Sequence, residues 1–509
     1  MNSKKEKKGD LSPARYIVAF NMSPSLARPP LYIRNGKENH TGSPTPYTAL
    51  KERLPDFATY LDSLLSNKYV NSITFYEFER LTAVYRKNII RNGLRSFTNL
   101  SEVRFGSCDS FKKRMNGPKV PFLEDYEVSP TRGFIQDEDP LQQLPEYFSP
   151  WEEVCERLPE MWKDETTRHW IEQLPLLDHN KLTSAREWWR ANLVLVLMSH
   201  SYVWCEGETN PKKVLPKSVA VPLVGVSEHL GMPPILTHYC YAIYNWRVID
   251  ISRPLTLDNI KPINTFTGTP SEDGFITVAV QVEMEFGKSV TSLIASQKAV
   301  LSDDCQLLRK ELFSVQQMIS RLTNALLKIH DVCKPRDFYC FIRVFLNGWQ
   351  STSALPEGLI YEGVSSTPRQ YPGGSAAEST VFQVLDAFLG IRHHSPSRTS
   401  FLKLMRKHMP PKHNEFITAV ENGPSVRHYV ENSKDQRLHE QYNACVTALQ
   451  EYRNAHLSIV TKYIIIQANK DPENPNRRLA NKGTGGSDLV KFLQRVRDET
   501  KESKLPSTS

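Results

Sequence analysis

Near residue 125 the sequence changes rhythm. From there to the C-terminus, apolar residues recur at steps of three and four in one segment after another. WEEVCERLPEMW, SAREWWRANLVLVLMSHSYVW, DCQLLRKELFSVQQMISRLTNALLKIHDV, ESTVFQVLDAFLGI and RLHEQYNACVTALQEYRNAHLSIVTKYIIIQA each gather their apolar residues on one side of a helix. Several of them stop near Pro, Gly or Asn, residues that end helices. Strand signals are few. ITVAVQVEMEF, 276–286, alternates as a strand would, but a buried helix reads the same over so short a run. KVLPKSVAVPLVGV and EHLGMPPIL read as irregular Pro-rich connections, and no internal repeat is present. The expected fold class is all-α.

Ahead of that body lies a stretch of another character. Residues 1–120 hold 21 Lys and Arg against 10 Asp and Glu, whereas the whole chain carries +8, so the remainder is net acidic. Residues 1–45 mix Lys, Ser, Pro and Asn with few clustered apolar residues, a composition that cannot offset the entropy of ordering. Within 47–93, LPDFATYLDSLLSNKYV and ITFYEFERLTAVYRKNII have helical spacing, and FKKRMNGPKVP reads as a basic linker. The basic run is read as a solvated tail, and no nucleic-acid partner is expected. The most apolar run, ANLVLVLM at 191–198, is too short for a bilayer and continues into Ser199 and His200, so no membrane span is expected. MNSKKEKKGD is not followed by an apolar core and cleavage site, which makes the cytoplasm the expected compartment. The eight cysteines form no CxxC pair, which argues against a zinc ribbon, a redox centre or covalent haem attachment.

Three constellations could carry chemistry. On the last long helix, expected over 437–468 and about 45 Å long at about 1.5 Å per residue, Tyr442, Cys445, Val446, Leu449, Tyr452, Ile459, Val460 and Tyr463 form one stripe. His456 falls within it. A neutral imidazole in an apolar wall can coordinate a metal or haem iron, and it can equally be a hydrogen-bonded core residue. YPGGSAAEST, 371–380, and KGTGGSDLVKF, 482–492, set glycines before helical runs, where the backbone can approach an anion or merely bend. In CKPRDFYCFIRVFLNGW, 333–349, Phe338, Ile342 and Phe345 share a face with Phe341, and Arg343 interrupts it. Such an arginine either reaches out to water or holds a ligand's carboxylate through a charge-assisted pair. No HExxH, GxSxG, paired-carboxylate or Cys–His pattern supports hydrolysis.

In order along the chain, SYVW, KVLPKSVAVP, PPIL, NW, PLT, GLIYEG, GGSA, FQVLDAFLGI, MPPKH, PSVR, HLSIVTKYI and KGTGGSDLVKFL resemble the indoleamine 2,3-dioxygenase family, from about Glu127 to Glu502. The resemblance implies a small helical domain at 125–264 and a large haem-binding domain at 265–509, behind a basic extension at 1–124. It makes His456 the axial ligand of a haem b, with His413 of MPPKHNEF the rival that is not the ligand. Arg453 and Asp386 match polar partners near the haem, and Gly374, Ser375 and Ala376 match the loop on its distal side. Phe338 and Arg343 match the residues that contact the indole ring and the substrate carboxylate, Tyr339 and Leu346 neighbour them, Phe275 matches a pocket phenylalanine, and Thr484 matches the threonine that closes over the substrate. The sequence departs from vertebrate relatives at Ala279, where they carry a serine, and at His238 and Tyr241, where they carry tyrosine and cysteine.

The activity implied is haem-dependent insertion of O2 across the indole C2–C3 bond of L-tryptophan or a related indoleamine, giving N-formylkynurenine and feeding the kynurenine route to NAD. The expected partners are that substrate, O2 and an electron donor that keeps the iron ferrous, and the expected state is a monomer. Two other readings stay open at this point: a haem-binding sensor or regulator of the same fold with weak turnover, and a haem-free helical interaction module.

Overall fold

The computed structural model describes residues 32–33, 73–74, 118–350, 352–394, 396–470, 483–484 and 488–506. Within the extension, Tyr32–Ile33 pairs antiparallel with Ile73–Thr74. Ile73 and Thr74 are therefore extended where the periodicity suggests the head of a helix. The remainder of both helices expected within 47–93 lies outside the described residues. Pro118–Ser509 is a compact unit of its own. Its packed structure begins ahead of the expected 124/125 boundary, since Val120 and Leu123 are already buried.

Helices dominate this unit, as the spacing predicts. Helices α1 (Ser149–Glu156), α2 (Leu158–Lys163) and α3 (Thr167–Glu172) pack around α4 (Ala185–Trp204). The start of α4 is fixed by a reciprocal cap: Ser184 Oγ accepts from the Glu187 backbone N–H at 3.3 Å, while the Glu187 carboxylate accepts from the Thr183 N–H at 2.7 Å. Every residue from Trp188 to Trp204 is buried, so α4 is a central pillar, enclosed all round. Its Arg190 is buried against Glu152 of α1 and also donates to Asn264 Oδ1 at 2.7 Å. Against α4 lies α5 (Lys217–Leu230). KVLPKSVAVPLVGV is thus largely helix rather than an irregular connection: Pro216 sits at the N-cap, and burial of Val219, Ala220, Leu223 and Val226 offsets the hydrogen bond lost at Pro222.

The ambiguous run 276–286 is also helical. Pro270 opens α6 (Pro270–Gly287), and Thr269 Oγ1 caps it by accepting from the Glu272 N–H. It leads into α7 (Val290–Ser302) and α8 (Cys305–Leu327). Leu308, Leu312, Val315, Ile319 and Leu322 make a fully buried stripe on α8, which packs along α13 (Gln436–Val460) and its buried Tyr442, Cys445, Val446 and Leu449. Each such side chain contributes about 1.5–3 kcal/mol by leaving water. Between them in sequence come α9 (Thr380–Leu389), α10 (Pro396–Arg406), α11 (Pro411–Glu421) and α12 (Val426–Glu431), and α14 (Leu489–Glu502) follows. Small strands at Val214–Leu215, Leu359–Tyr361 and Ser365–Arg369 form one sheet, parallel then antiparallel.

Two apolar clusters divide the interior. One is centred on α4 and α5 and takes in Phe338–Trp349 and Ile459–Ile464; the other is built on α7, α8, α9, α11 and α13. The described cysteines are free thiols. Among the described residues no helix is long and apolar enough to cross a membrane.

Candidate active site

Where the two clusters meet, a cavity of about 320 Å3 opens, within the range of small-molecule sites. Its wall is mostly apolar. Helix α6 contributes Phe275, Val278, Ala279, Val282 and Glu283; α13 contributes Tyr452, Arg453, His456, Ile459 and Val460; α14 contributes Leu489, Phe492, Leu493 and Val496. Fourteen of the fifteen candidate site residues reach it: His238, Tyr241, Phe275, Ala279, Phe338, Arg343, Leu346, Gly374, Ser375, Ala376, Asp386, Arg453, His456 and Thr484. Tyr339 is the exception. It is buried, but it lies in the wide turn from Phe338 to Ile342 and does not reach the cavity wall.

His456 stands in line with the buried stripe of α13; it is itself half-buried and lines the cavity. Burial, helped by the nearby Arg453 charge, pushes its pKa down to about 4, which leaves a neutral ring with a lone pair to offer. The rival His413 does not line the cavity. It is packed against Phe134 and Tyr239, at ring-centroid distances of 4.9 and 5.5 Å. Among the described residues no three His, Cys, Asp or Glu side chains converge as a bare metal ion requires. A single imidazole on an apolar wall instead suits a metal that brings its remaining ligands in an organic ring, as haem does.

Arg343 is 1% exposed, and burial lowers its pKa only to about 10, so it stays cationic at neutral pH. The segment that carries it is not one helix: a short turn at Pro335–Asp337, a wide turn at Phe338–Ile342 and a tight one at Arg343–Leu346 follow each other. That winding exposes Phe341 at 37% while burying Phe338, Ile342 and Phe345, so Phe341 does not share their face. Phe338 packs on Phe275 at a centroid distance of 4.9 Å. Tyr241 offers its ring but not its hydroxyl, which donates to Glu272 Oε1 at 2.8 Å. Glu272 is held by further bonds from the Phe266 and Thr267 backbone and the Thr267 hydroxyl.

The two glycine-rich loops clasp each other. Thr484 Oγ1 donates to Gly374 O at 2.5 Å, and the Gly373 N–H donates to Thr484 O at 3.1 Å. Gly373 also crosses Gly348 so closely that a Cβ on either would lie 2.3 Å from the other's nitrogen. Behind His456, Arg453 grips both oxygens of Asp386 at 2.7 Å. Burial pushes the Asp386 carboxyl up, but Arg453 and His393 outweigh it and hold the pKa below the usual carboxylate value.

The indoleamine 2,3-dioxygenase family sequence model matches residues 122–503. The chain belongs to the indoleamine 2,3-dioxygenase family. Human indoleamine 2,3-dioxygenase 2 is 40% identical over 390 residues, covering 75% of this chain and 95% of that protein. The mouse indoleamine 2,3-dioxygenase 2 is 39% identical over 393 residues, 76% of this chain and 96% of its own. A protein named myoglobin from Haliotis madaka is 36% identical over 383 residues, 75% and 98% respectively.

Sequence reasoning passed over several residues that shape this indoleamine 2,3-dioxygenase-like site. His200 of α4 donates from Nδ1 to Phe345 O at 2.7 Å and accepts at Nε2 from the Leu236 N–H at 3.1 Å, which joins two walls of the cavity. Glu283 is 2% exposed and lines the cavity; Ser379 Oγ donates to it at 3.2 Å, and His238 Nε2 lies 3.9 Å away. Glu378 accepts from the His238 N–H at 2.6 Å, and burial raises its pKa. Only the E in YPGGSAAEST, set against a helix entry, carried any signal of this.

Proposed function

We propose that the protein is a haem-dependent dioxygenase that converts L-tryptophan or a related indoleamine to N-formylkynurenine. One observation carries the reading: a neutral imidazole, His456, stands on the wall of an apolar cavity that a buried cation, Arg343, also reaches. His456 would hold a haem b through its free ring nitrogen. When bound, that group supplies the iron at which O2 is activated for insertion across the indole C2–C3 bond. The remaining tasks fall to side chains. Arg343 anchors the substrate carboxylate; Phe275 and Phe338 hold the indole plane; Ala279 leaves open the space above the reacting carbons. Arg453 with Asp386, and the loop Gly374–Ala376, line the cavity and would hold the haem's edge, and Thr484 closes the cavity through its bond to Gly374. The apolar walls exclude water. No side chain has to remove a proton for the ring carbons to react, so the alanine at 279 is compatible with turnover.

The same reading takes 125–264 and 265–509 as the two parts that share the cavity, and takes the protein as a cytoplasmic monomer served by an external electron donor. Because one relative is named myoglobin, formation of product decides the matter, not haem binding alone. Reduced, haem-loaded protein supplied with L-tryptophan and O2 is expected to consume O2 and build the formylkynurenine absorbance. His456→Ala should lose both the activity and the bound haem's spectrum. A His456→Ala protein with an unaltered Soret band, or wild-type protein that binds haem and forms no product with any indoleamine, would refute the proposal.

A further inference from the structure

Helix α14 lines the cavity with Leu489, Phe492, Leu493 and Val496, and one turn later it turns Glu499 and Thr500 into the interior. There it meets His393, which lies in the loop between α9 and α10. His393 Nδ1 is 2.8 Å from Glu499 Oε2, and His393 Nε2 is 3.1 Å from Asp386 Oδ2. The side chains are 9% exposed for His393, 12% for Asp386 and 0% for Glu499.

Both ring nitrogens therefore face carboxylate oxygens. A carboxylate only accepts, so two hydrogen bonds here need two protons between three groups, one more than a neutral imidazole brings. With that proton absent, one contact sets a lone pair against a lone pair in a site that water barely reaches, and one of the two must part. The surrounding charges favour the proton on balance. Burial pushes the His393 pKa down, Asp386 and Glu499 push it up further, and Arg453 opposes them, with a net rise. Arg453 comes from α13, gripping Asp386 and also bonding Thr500. Arg495 of α14 lies 3.8 Å from Glu499, and the His394 backbone N–H donates to Glu499 Oε1 at 3.3 Å.

The far end of the helix is tied without titratable partners. Asn443 exchanges hydrogen bonds with the Leu505 backbone at 2.8 and 2.9 Å, and Arg427 donates to Ser503 O at 2.6 Å. Among the described residues, the contact of Glu499 with His393 is thus the proton-dependent tie that lies toward the cavity-lining turns. We propose that His393 is a proton-operated clasp: charged, it holds α14 against the cavity; on losing its proton it releases one carboxylate and loosens the helix beside the bound group. The sign follows from the geometry. The clasp is closed at low pH and opens as pH rises through the raised pKa of His393.

The haem part of the test rests on the function proposed above, so two measurements keep the ideas apart. On the full-length haem-loaded protein, haem transfer to excess apomyoglobin is timed from about pH 6 to about pH 9. The rate should rise about tenfold across that range, the scale of one charge-assisted hydrogen bond. His393→Gln should be fast and nearly flat. Glu499→Gln should shift the rise to lower pH, because one of the two carboxylates that favour the proton is gone. Amide hydrogen exchange of α14, corrected for the intrinsic pH dependence and referred to α8, reads the clasp even in protein that takes up no haem. Loss of α14 protection with pH in the wild type, absent in His393→Gln, supports the clasp. A flat wild-type profile, or one that His393→Gln and Glu499→Gln both leave unchanged, overturns it and leaves the dioxygenase reading standing.

Discussion

At Arg343 a guanidinium is withdrawn from water yet remains charged, with its pKa lowered by burial only to about 10. A buried cation on a cavity wall attracts an anionic ligand group strongly, because little solvent screens it. If it anchors the substrate carboxylate, one charge-assisted contact worth about 1.5–3 kcal/mol depends on it. Arg343→Ala should raise the KM for L-tryptophan by about ten- to a hundredfold, with haem content intact. Tryptamine, which lacks the carboxylate, is the control, and its kinetics should hardly change. Equal losses for both substrates would assign Arg343 a structural role. The residue scale also shows where sequence reading stops. His456 and His413 both lie within apolar-periodic segments, and spacing alone could not choose between them. Their neighbours do: His413 is packed by Phe134 and Tyr239, whereas His456 faces open space. The commitment of the Tyr241 hydroxyl to Glu272 was equally invisible, since the two residues stand 31 positions apart.

At the scale of elements, long helices were legible and their junctions were not. The stripe on α13 carries its own period, and all of Tyr442, Cys445, Val446, Leu449, Tyr452, Ile459, Val460 and Tyr463 are buried. α6 could have been separated from a strand by its start signal, TPSE, because a threonine cap and a proline in the first turn belong to helices. Prolines misdirected the reading of α5, where packing on α4 overrides local propensity. Nothing periodic announces that one glycine-rich loop will meet the other, or that Gly348 will cross Gly373. That crossing permits a direct test. A Cβ at Gly373 would lie 2.3 Å from Gly348 N and from Leu346 O, both backbone atoms that cannot swing aside. Gly373→Ala should therefore lower stability by about 3 kcal/mol and shift the Arg343–Leu346 turn. Gly207→Ala is the comparison: no atom lies within 4 Å, and only the backbone at φ +74° resists, so its cost should be about 1 kcal/mol. Urea midpoints of the two variants against the wild type make the measurement. A Gly373→Ala protein no less stable than Gly207→Ala would mean that the loop crossing is not tight.

Across the described residues of the molecule, His456 is not the only histidine that burial keeps neutral. His200, His408 and His413 are 0%, 3% and 3% exposed, and burial lowers their pKa values to about 4, about 4 and about 3. An unfolded chain would protonate each near its ordinary value of about 6.5. As pH falls from about 6.5 toward about 4, the unfolded state binds protons that the folded state refuses, so stability must decline through that window. His393 offsets the decline only at the top of this window: its raised pKa keeps it protonated in the folded state, and below about 6.5 the unfolded chain protonates it as well. Asp386, whose pKa is lowered, adds a further loss only below the ordinary carboxylate range. With all three histidines contributing, the steepest slope approaches about 4 kcal/mol per pH unit, three times about 1.4 kcal/mol for one proton. Urea midpoints taken at about pH 7, 6, 5 and 4 should fall progressively, and the linked proton uptake on unfolding should reach at least three, since His456 shares the lowered pKa. His413→Gln keeps a polar side chain in the Phe134–Tyr239 contact but has no proton to take up, so it should remove about one proton from that uptake. A wild-type midpoint that stays level to about pH 4 would mean that these rings are charged in the folded protein, and the packing described around them would then be wrong.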